Sequence, residues 1–101
     1  MSWATPHIQK LKRGETARFR PRGASMEGKI SSGQLVTVEP CELEALRVGD
    51  IVLCKVRGTA YLHLIKAIGS DGRFQIGNNR GFINGWTSPS QIYGKCTNVE
   101  D

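Results

Sequence analysis

Short stretches of alternating or β-branched apolar residues, each closed by glycine, proline or asparagine, run through most of the chain. Residues 16–22 alternate, with Ala17, Phe19 and Pro21 on one side and Arg18, Arg20 and Arg22 on the other. That period of two predicts a half-buried strand, and Pro21, which lacks an N–H, puts it at a sheet edge. Residues 23–34 are rich in Gly and Ser and predict a structured loop or one short turn. LVTVE at 35–39 predicts a β-branched strand stopped by Pro40. Residues 42–47 can form a single helical turn before a Gly49-Asp50 turn. Residues 51–57 and 60–68 flank Gly58-Thr59 with hairpin spacing. A turn at Ser70-Asp71-Gly72 and a short strand at Phe74–Ile76 follow. Residues 77–90, rich in Gly, Asn and Pro, predict an ordered loop, and residues 91–97 a closing strand. No long helix is predicted. About six short strands at hairpin spacing predict a mostly β fold, a small coiled sheet or partly closed barrel of short antiparallel strands.

Length and composition narrow this picture. The chain has 101 residues, one domain's worth with a single modest core. Its 39% hydrophobic residues and 12 glycines fit a turn-rich globular protein rather than a disordered one. The net charge of +5 is unevenly placed. Lys10, Lys12, Arg13, Arg18, Arg20 and Arg22 face Glu15 alone in residues 1–22, and the remainder is balanced. The N-terminal segment therefore reads as a basic arm. Such an arm attracts an acidic or nucleic-acid partner, with Arg18, Arg20 and Arg22 as the contact residues, or serves as a solvated face. No aromatic ladder interleaves the bases, which disfavours stacking on single strands. Three cysteines, Cys41, Cys54 and Cys96, without a Cys-x-x-Cys pair suggest neither a disulfide framework nor a zinc site. No metal or other cofactor is expected. No apolar run approaches the roughly 20 residues of a membrane span, so a cytoplasmic, membrane-free protein is expected.

The chemistry-bearing stretch is Gly23-Ala24-Ser25-Met26-Glu27-Gly28-Lys29-Ile30, followed by Gly33-Gln34-Leu35-Val36-Thr37-Val38. A serine on a glycine-flanked turn that leads into a strand can expose its Oγ and aim backbone N–H groups at one point. Those are the needs of a nucleophile and an oxyanion hole. Most serines in such loops are turn formers only.

In combination, these residues resemble a known family. Ser25-Met26 after a glycine, with the Gly-Gln-Leu-Val-Thr-Val strand behind it, resembles the nucleophile box of the LexA-repressor and signal-peptidase serine peptidases. Val48-Gly49-Asp50-Ile51-Val52-Leu53 resembles the family's second box. The hairpin, the Gly77-Asn78-Asn79 loop and the Ile92-Tyr93-Gly94-Lys95 strand follow in the family's order. The resemblance covers roughly residues 17–98. With the basic arm assigned to residues 1–15, it implies a LexA/signal-peptidase-like peptidase domain over residues 16–101. Ser25 would be the nucleophile, with Gly23 and Met26 shaping the oxyanion loop. A peptide or protein substrate would dock as an added strand. Only 24 residues precede Ser25, too few for a helix-turn-helix domain. The expectation is neither a complete repressor nor a membrane signal peptidase, but a free-standing phage- or plasmid-type peptidase or a domain that acts on a partner.

The family places its general base on the second hairpin strand, as lysine in some members and histidine in others. Counting through the hairpin puts that position on His63. A histidine titrates near 6.5 and needs little tuning, whereas a lysine needs its pKa lowered by burial. Strand parity sets His63 with Tyr61, Ile65 and Ala67, and turns Lys66 to the other face with Leu62 and Leu64. A packed, hydrogen-bonded strand histidine is the structural alternative. The histidine-type members carry an aspartate downstream to orient the base. Here that position falls on Asn84, which can accept from the imidazole N–H but brings no negative charge. Asn84 before Gly85 also reads as an ordinary turn residue. Phe82 and Trp86 are expected to pack the late loop down or to line a substrate cleft. Two functions follow: a soluble serine peptidase, or a weak or inactive binding module of the same fold that holds a protein or nucleic acid. A nucleic-acid-binding barrel is a more remote third.

Overall fold

The computed structural model describes residues 2–101. Its framework is one open, wholly antiparallel sheet. The strands are β1 (Ala17–Phe19), β2 (Leu35–Glu39), β3 (Ile51–Val56), β4 (Thr59–Ile68), β5 (Phe74–Gly77), β6 (Ile83–Thr87) and β7 (Ile92–Glu100). They lie in the order β1-β2-β7-β3-β4-β5-β6. The fold is mostly β, as expected. Of the two shapes the sequence allowed, the open sheet forms, with β1 and β6 as its edges and no closed barrel.

Central strand β3 shows why these residues make this sheet. Its apolar residues, interrupted only by Lys55, bury both faces. Leu53 joins a cluster with Val36, Val38, Leu62 and Leu64, while Val52, Cys54 and Val56 join another with Ile65, Phe74 and Ile76. Successive side chains point to opposite faces, so a run without alternation is what a two-sided strand requires. The β3–β4 hairpin turns on Arg57 and Gly58, both at positive φ, and closes on the pair Val56–Thr59. The expected turn at Gly58-Thr59 is thus one residue early, the geometry of a two-residue hairpin that asks for a left-handed backbone at both positions.

Two elements were missed from sequence. The stretch read as a basic arm begins with helix α1 (Thr5–Lys12), which buries Ile8 and Leu11, together with Ala4 ahead of it, in the first cluster. Residues 1–15 are therefore not a free arm as far as they are described: an apolar stripe three residues apart ties them to the sheet. Pro6 sits in the first turn, and Gly14, at φ +80, ends the helix while Gly14 N and Glu15 N donate to Leu11 O and Lys10 O. That is a glycine-terminated helix end of the Schellman kind. The other is β6, in a stretch expected to be loop. It pairs with β5 through Phe74–Thr87 and Gln75–Trp86. Phe82 and Trp86 stay exposed, at 62% and 40%, and do not pack that loop down.

β1 ends at Phe19, so the alternation expected over 16–22 stops there. Arg18 is exposed on the strand. Arg20 and Arg22 follow it into the next segment and border the same cleft as Phe19 and Pro21, which Arg18 does not.

Candidate active site

Three loops and strands converge beside α1. The 23–30 segment turns tightly, with Glu27 N donating to Ala24 O and both Lys29 N and Ile30 N donating to Met26 O. Met26 and Ile30 are buried in the first cluster and anchor the turn, while Ser25 between them and solvent stays exposed. The Ser-Met pair thus divides its labour, with Met26 holding the loop and Ser25 presenting its hydroxyl.

His63 lies in the middle of β4, opposite Val52 of β3, and is 8% exposed. Its ring stacks on Tyr61, with centroids 4.9 Å apart. Ser25 Oγ is 3.2 Å from His63 Nε2. On the other side of the ring, His63 Nδ1 is 2.7 Å from Asn84 Oδ1. With Oδ1 accepting, the Nδ1 nitrogen carries the proton and Nε2 presents its lone pair to the serine hydroxyl. This is the tautomer a general base needs. Ser25, His63 and Asn84, separated by up to 59 positions in sequence, form one hydrogen-bonded chain. Lys66, the rival base, makes no hydrogen bond or ion pair among the described residues; the β4–β5 register slips at its position.

A second irregularity aims Asn84. In the β5–β6 pairing, Ile76 faces Gly85 and Gly77 faces Ile83, so Asn84 is the extra residue of a bulge. Bulges redirect a side chain out of the strand's alternation. Gly85 adopts φ +138 there, and a Cβ on it would come within 3.0 Å of Arg57 Nη2. Arg57 in turn donates to Asn84 O at 2.8 Å, fixing the bulge from the hairpin turn.

Electrostatically the dyad is bare. Burial pushes the His63 pKa below the ordinary imidazole value, and the hydrogen bond to Asn84 opposes that shift. No carboxylate among the described residues touches the ring, so the resting histidine is neutral around pH 7.

Asn79 was not singled out from sequence. Its N–H donates to Ser25 O at 2.9 Å and its side-chain amide donates to Glu27 O at 2.6 Å. It therefore ties the serine turn to the β5–β6 loop that also leads to Asn84. Asn78 shapes that loop, its Oδ1 accepting from Arg80 N and Phe82 N. The one sequence signal was the Gly77-Asn78-Asn79 motif itself, which says nothing about its partner.

The oxyanion loop is only partly as expected. Gly23, at φ +112, has its N–H taken by Ser32 Oγ at 3.1 Å, so it shapes the turn without offering a donor. Met26 contributes its buried side chain. The N–H groups of Ser25 and Met26 have no acceptor among the described residues. The site opens into a cleft of about 530 Å³ bordered by Trp3 and His7 of the N-terminal segment, Phe19, Pro21, Ala60 and Leu62. Among the described residues no group of three His, Cys, Asp or Glu side chains could hold a metal, and no helix is long and apolar enough to cross a membrane.

No protein-family model, curated protein or solved structure matches the chain.

Proposed function

We propose that this chain is a serine peptidase of the LexA and signal-peptidase type, with Ser25 as nucleophile, His63 as general base and acid, and Asn84 as the residue that orients the base. The observation that carries the reading is the Asn84 Oδ1–His63–Ser25 Oγ chain, with contacts of 2.7 and 3.2 Å, open to a cleft. Both ring nitrogens are paired, and the serine on Nε2 borders the cleft.

In the proposed reaction Ser25 Oγ attacks the peptide carbonyl carbon while His63 Nε2 takes the hydroxyl proton. The free N–H of Ser25 holds the oxyanion. Collapse breaks the C–N bond, and His63 returns the proton to the leaving amine. The Ser25 ester is then attacked by water, which gives its proton to His63, and the acid product leaves with Ser25 Oγ reprotonated. Asn84 keeps the Nδ1 proton in place through both steps without neutralising the imidazolium.

The uncharged orienter favours a second reading, a slow or inactive module that retains the fold and holds a partner. Turnover separates the two. Degenerate peptide pools incubated with the protein are expected to yield new N-termini, and none with Ser25→Ala. Identical, uncut pools from both proteins would remove the peptidase reading.

A further inference from the structure

We infer that the cleft beside Ser25 selects a peptide segment bearing an acidic side chain, and that Arg20 and Arg22 recognise it; as a statement about substrate, this rests on the peptidase reading. The charges bordering the cleft are of one sign. Arg20 and Arg22 line it, and no Asp or Glu among the described residues does. The ion pairs found among the described residues, Arg13–Glu15 and Lys95–Asp50, lie elsewhere. Arg20 is held by donating from Nη1 to Gly33 O at 2.8 Å, and its other N–H groups have no acceptor among the described residues. The Arg22 side chain has no hydrogen-bond partner among the described residues. One held guanidinium and one unengaged, neither with a counter-charge, match a carboxylate, which a guanidinium can grip through paired N–H groups.

Chain geometry limits where that carboxylate sits. Arg22 is three residues from Ser25, and three residues span at most about 10 Å. The acidic side chain therefore belongs within a few residues of the bond held at Ser25. A nucleic-acid strand fits less well. Base stacking needs open ring faces; Phe19 has one face covered by His7, with centroids 4.2 Å apart, Tyr61 has one covered by His63, and Trp3, though 50% exposed, already lies tilted against His7 and Phe19.

The test uses two readouts. Binding of fluorescent peptide pools with one position fixed as Glu, Gln or Lys is measured by anisotropy on Ser25→Ala, where turnover plays no part. Labelling of wild-type Ser25 by a fluorophosphonate is measured separately. The Glu pool is expected to bind about fivefold more tightly than the Gln pool at low salt, the scale of exposed ion pairs, and the Lys pool more weakly than either. In the Ser25→Ala background, Arg22→Glu is expected to reverse the order and Arg20→Gln to reduce the preference. Arg18→Glu, the same charge change on β1 outside the cleft, is expected to leave it. Equal binding of the three pools, or a preference equally lost with Arg18→Glu, would overturn the inference. So would a short oligo-dT that binds more tightly than the Glu pool and depends on Arg20 and Arg22. An acid preference without Ser25 labelling keeps the inference and removes the peptidase reading. Labelling without an acid preference does the reverse.

Discussion

The sharpest consequence of the site concerns Asn84, which pairs with His63 without bringing a negative charge. Asn84→Asp exchanges the amide nitrogen for an oxygen and leaves Oδ1 where it is, 2.7 Å from His63 Nδ1. The amide nitrogen donates to no described residue, so the exchange breaks no contact. An imidazolium and a carboxylate about 4 Å apart attract by roughly 4 kcal/mol at an effective dielectric of about 20. Part of that is lost in desolvating a carboxylate at a half-buried bulge, so a net gain of about 1–2 kcal/mol is expected. His63 should then titrate about one unit or more higher, and the proton-accepting step should speed up about tenfold at a pH above the new pKa. The assay is the pH dependence of Ser25 phosphonylation, beside an NMR titration of the His63 ring in a Ser25→Ala background. An unchanged ring pKa, with labelling within twofold of wild type at every pH, would refute the claim that residue 84 orients the base.

Three further outcomes follow. Asn79→Ala removes the side-chain hydrogen bond to Glu27 O and is expected to cost only about 1 kcal/mol in denaturant unfolding; it should slow Ser25 labelling several-fold more than that stability loss can explain. Leu11→Ala is expected to lose about 2–4 kcal/mol in the same unfolding assay, because Leu11 is buried and its methyl packs against Gly94 of β7; a free N-terminal arm would show no loss. Stability should also fall on acidification. Burial holds His63 and His7 below the ordinary imidazole pKa, with Lys10 adding to the effect at His7. The unfolded chain therefore binds more protons below about pH 6.5. Thermal unfolding should be steady above that pH and drop as pH falls through the lowered folded-state values, and His63→Gln should flatten its share of the slope.

The sequence carried the fold where period and turn chemistry agree. β2 over 35–39 and the β3–β4 pair could be read within a residue or two, because β-branched runs are bounded by Pro40, Gly49-Asp50 and Gly58. The serine turn and the position of His63 were legible through motif order and strand parity. α1 was not, although Pro6, the Ile8/Leu11 spacing and Gly14 are helix signals; the run of bases obscured a stripe of only two buried residues. β6 was hidden for a different reason. Gly81, Asn84, Gly85 and Pro89 argue for loop, and only the pairing with β5 makes residues 83–87 a strand, an instance of tertiary context overriding local preference. The same bulge that obscures β6 turns Asn84 toward His63. Asn79 escaped notice because its hydrogen bonds reach 52 and 54 positions back along the chain, to Glu27 and Ser25. Local pattern carries no information about such a contact.

The most direct test of the central claim is to treat the protein with a fluorophosphonate between pH 5 and 9 and locate the adduct by peptide mass mapping. A single adduct on Ser25 is expected, with a rate that rises with pH and is half-maximal below about 6.5 because burial lowers the His63 pKa, and with labelling lost in both Ser25→Ala and His63→Ala. An adduct at another residue, or Ser25 labelling that neither pH nor His63→Ala changes, would contradict it.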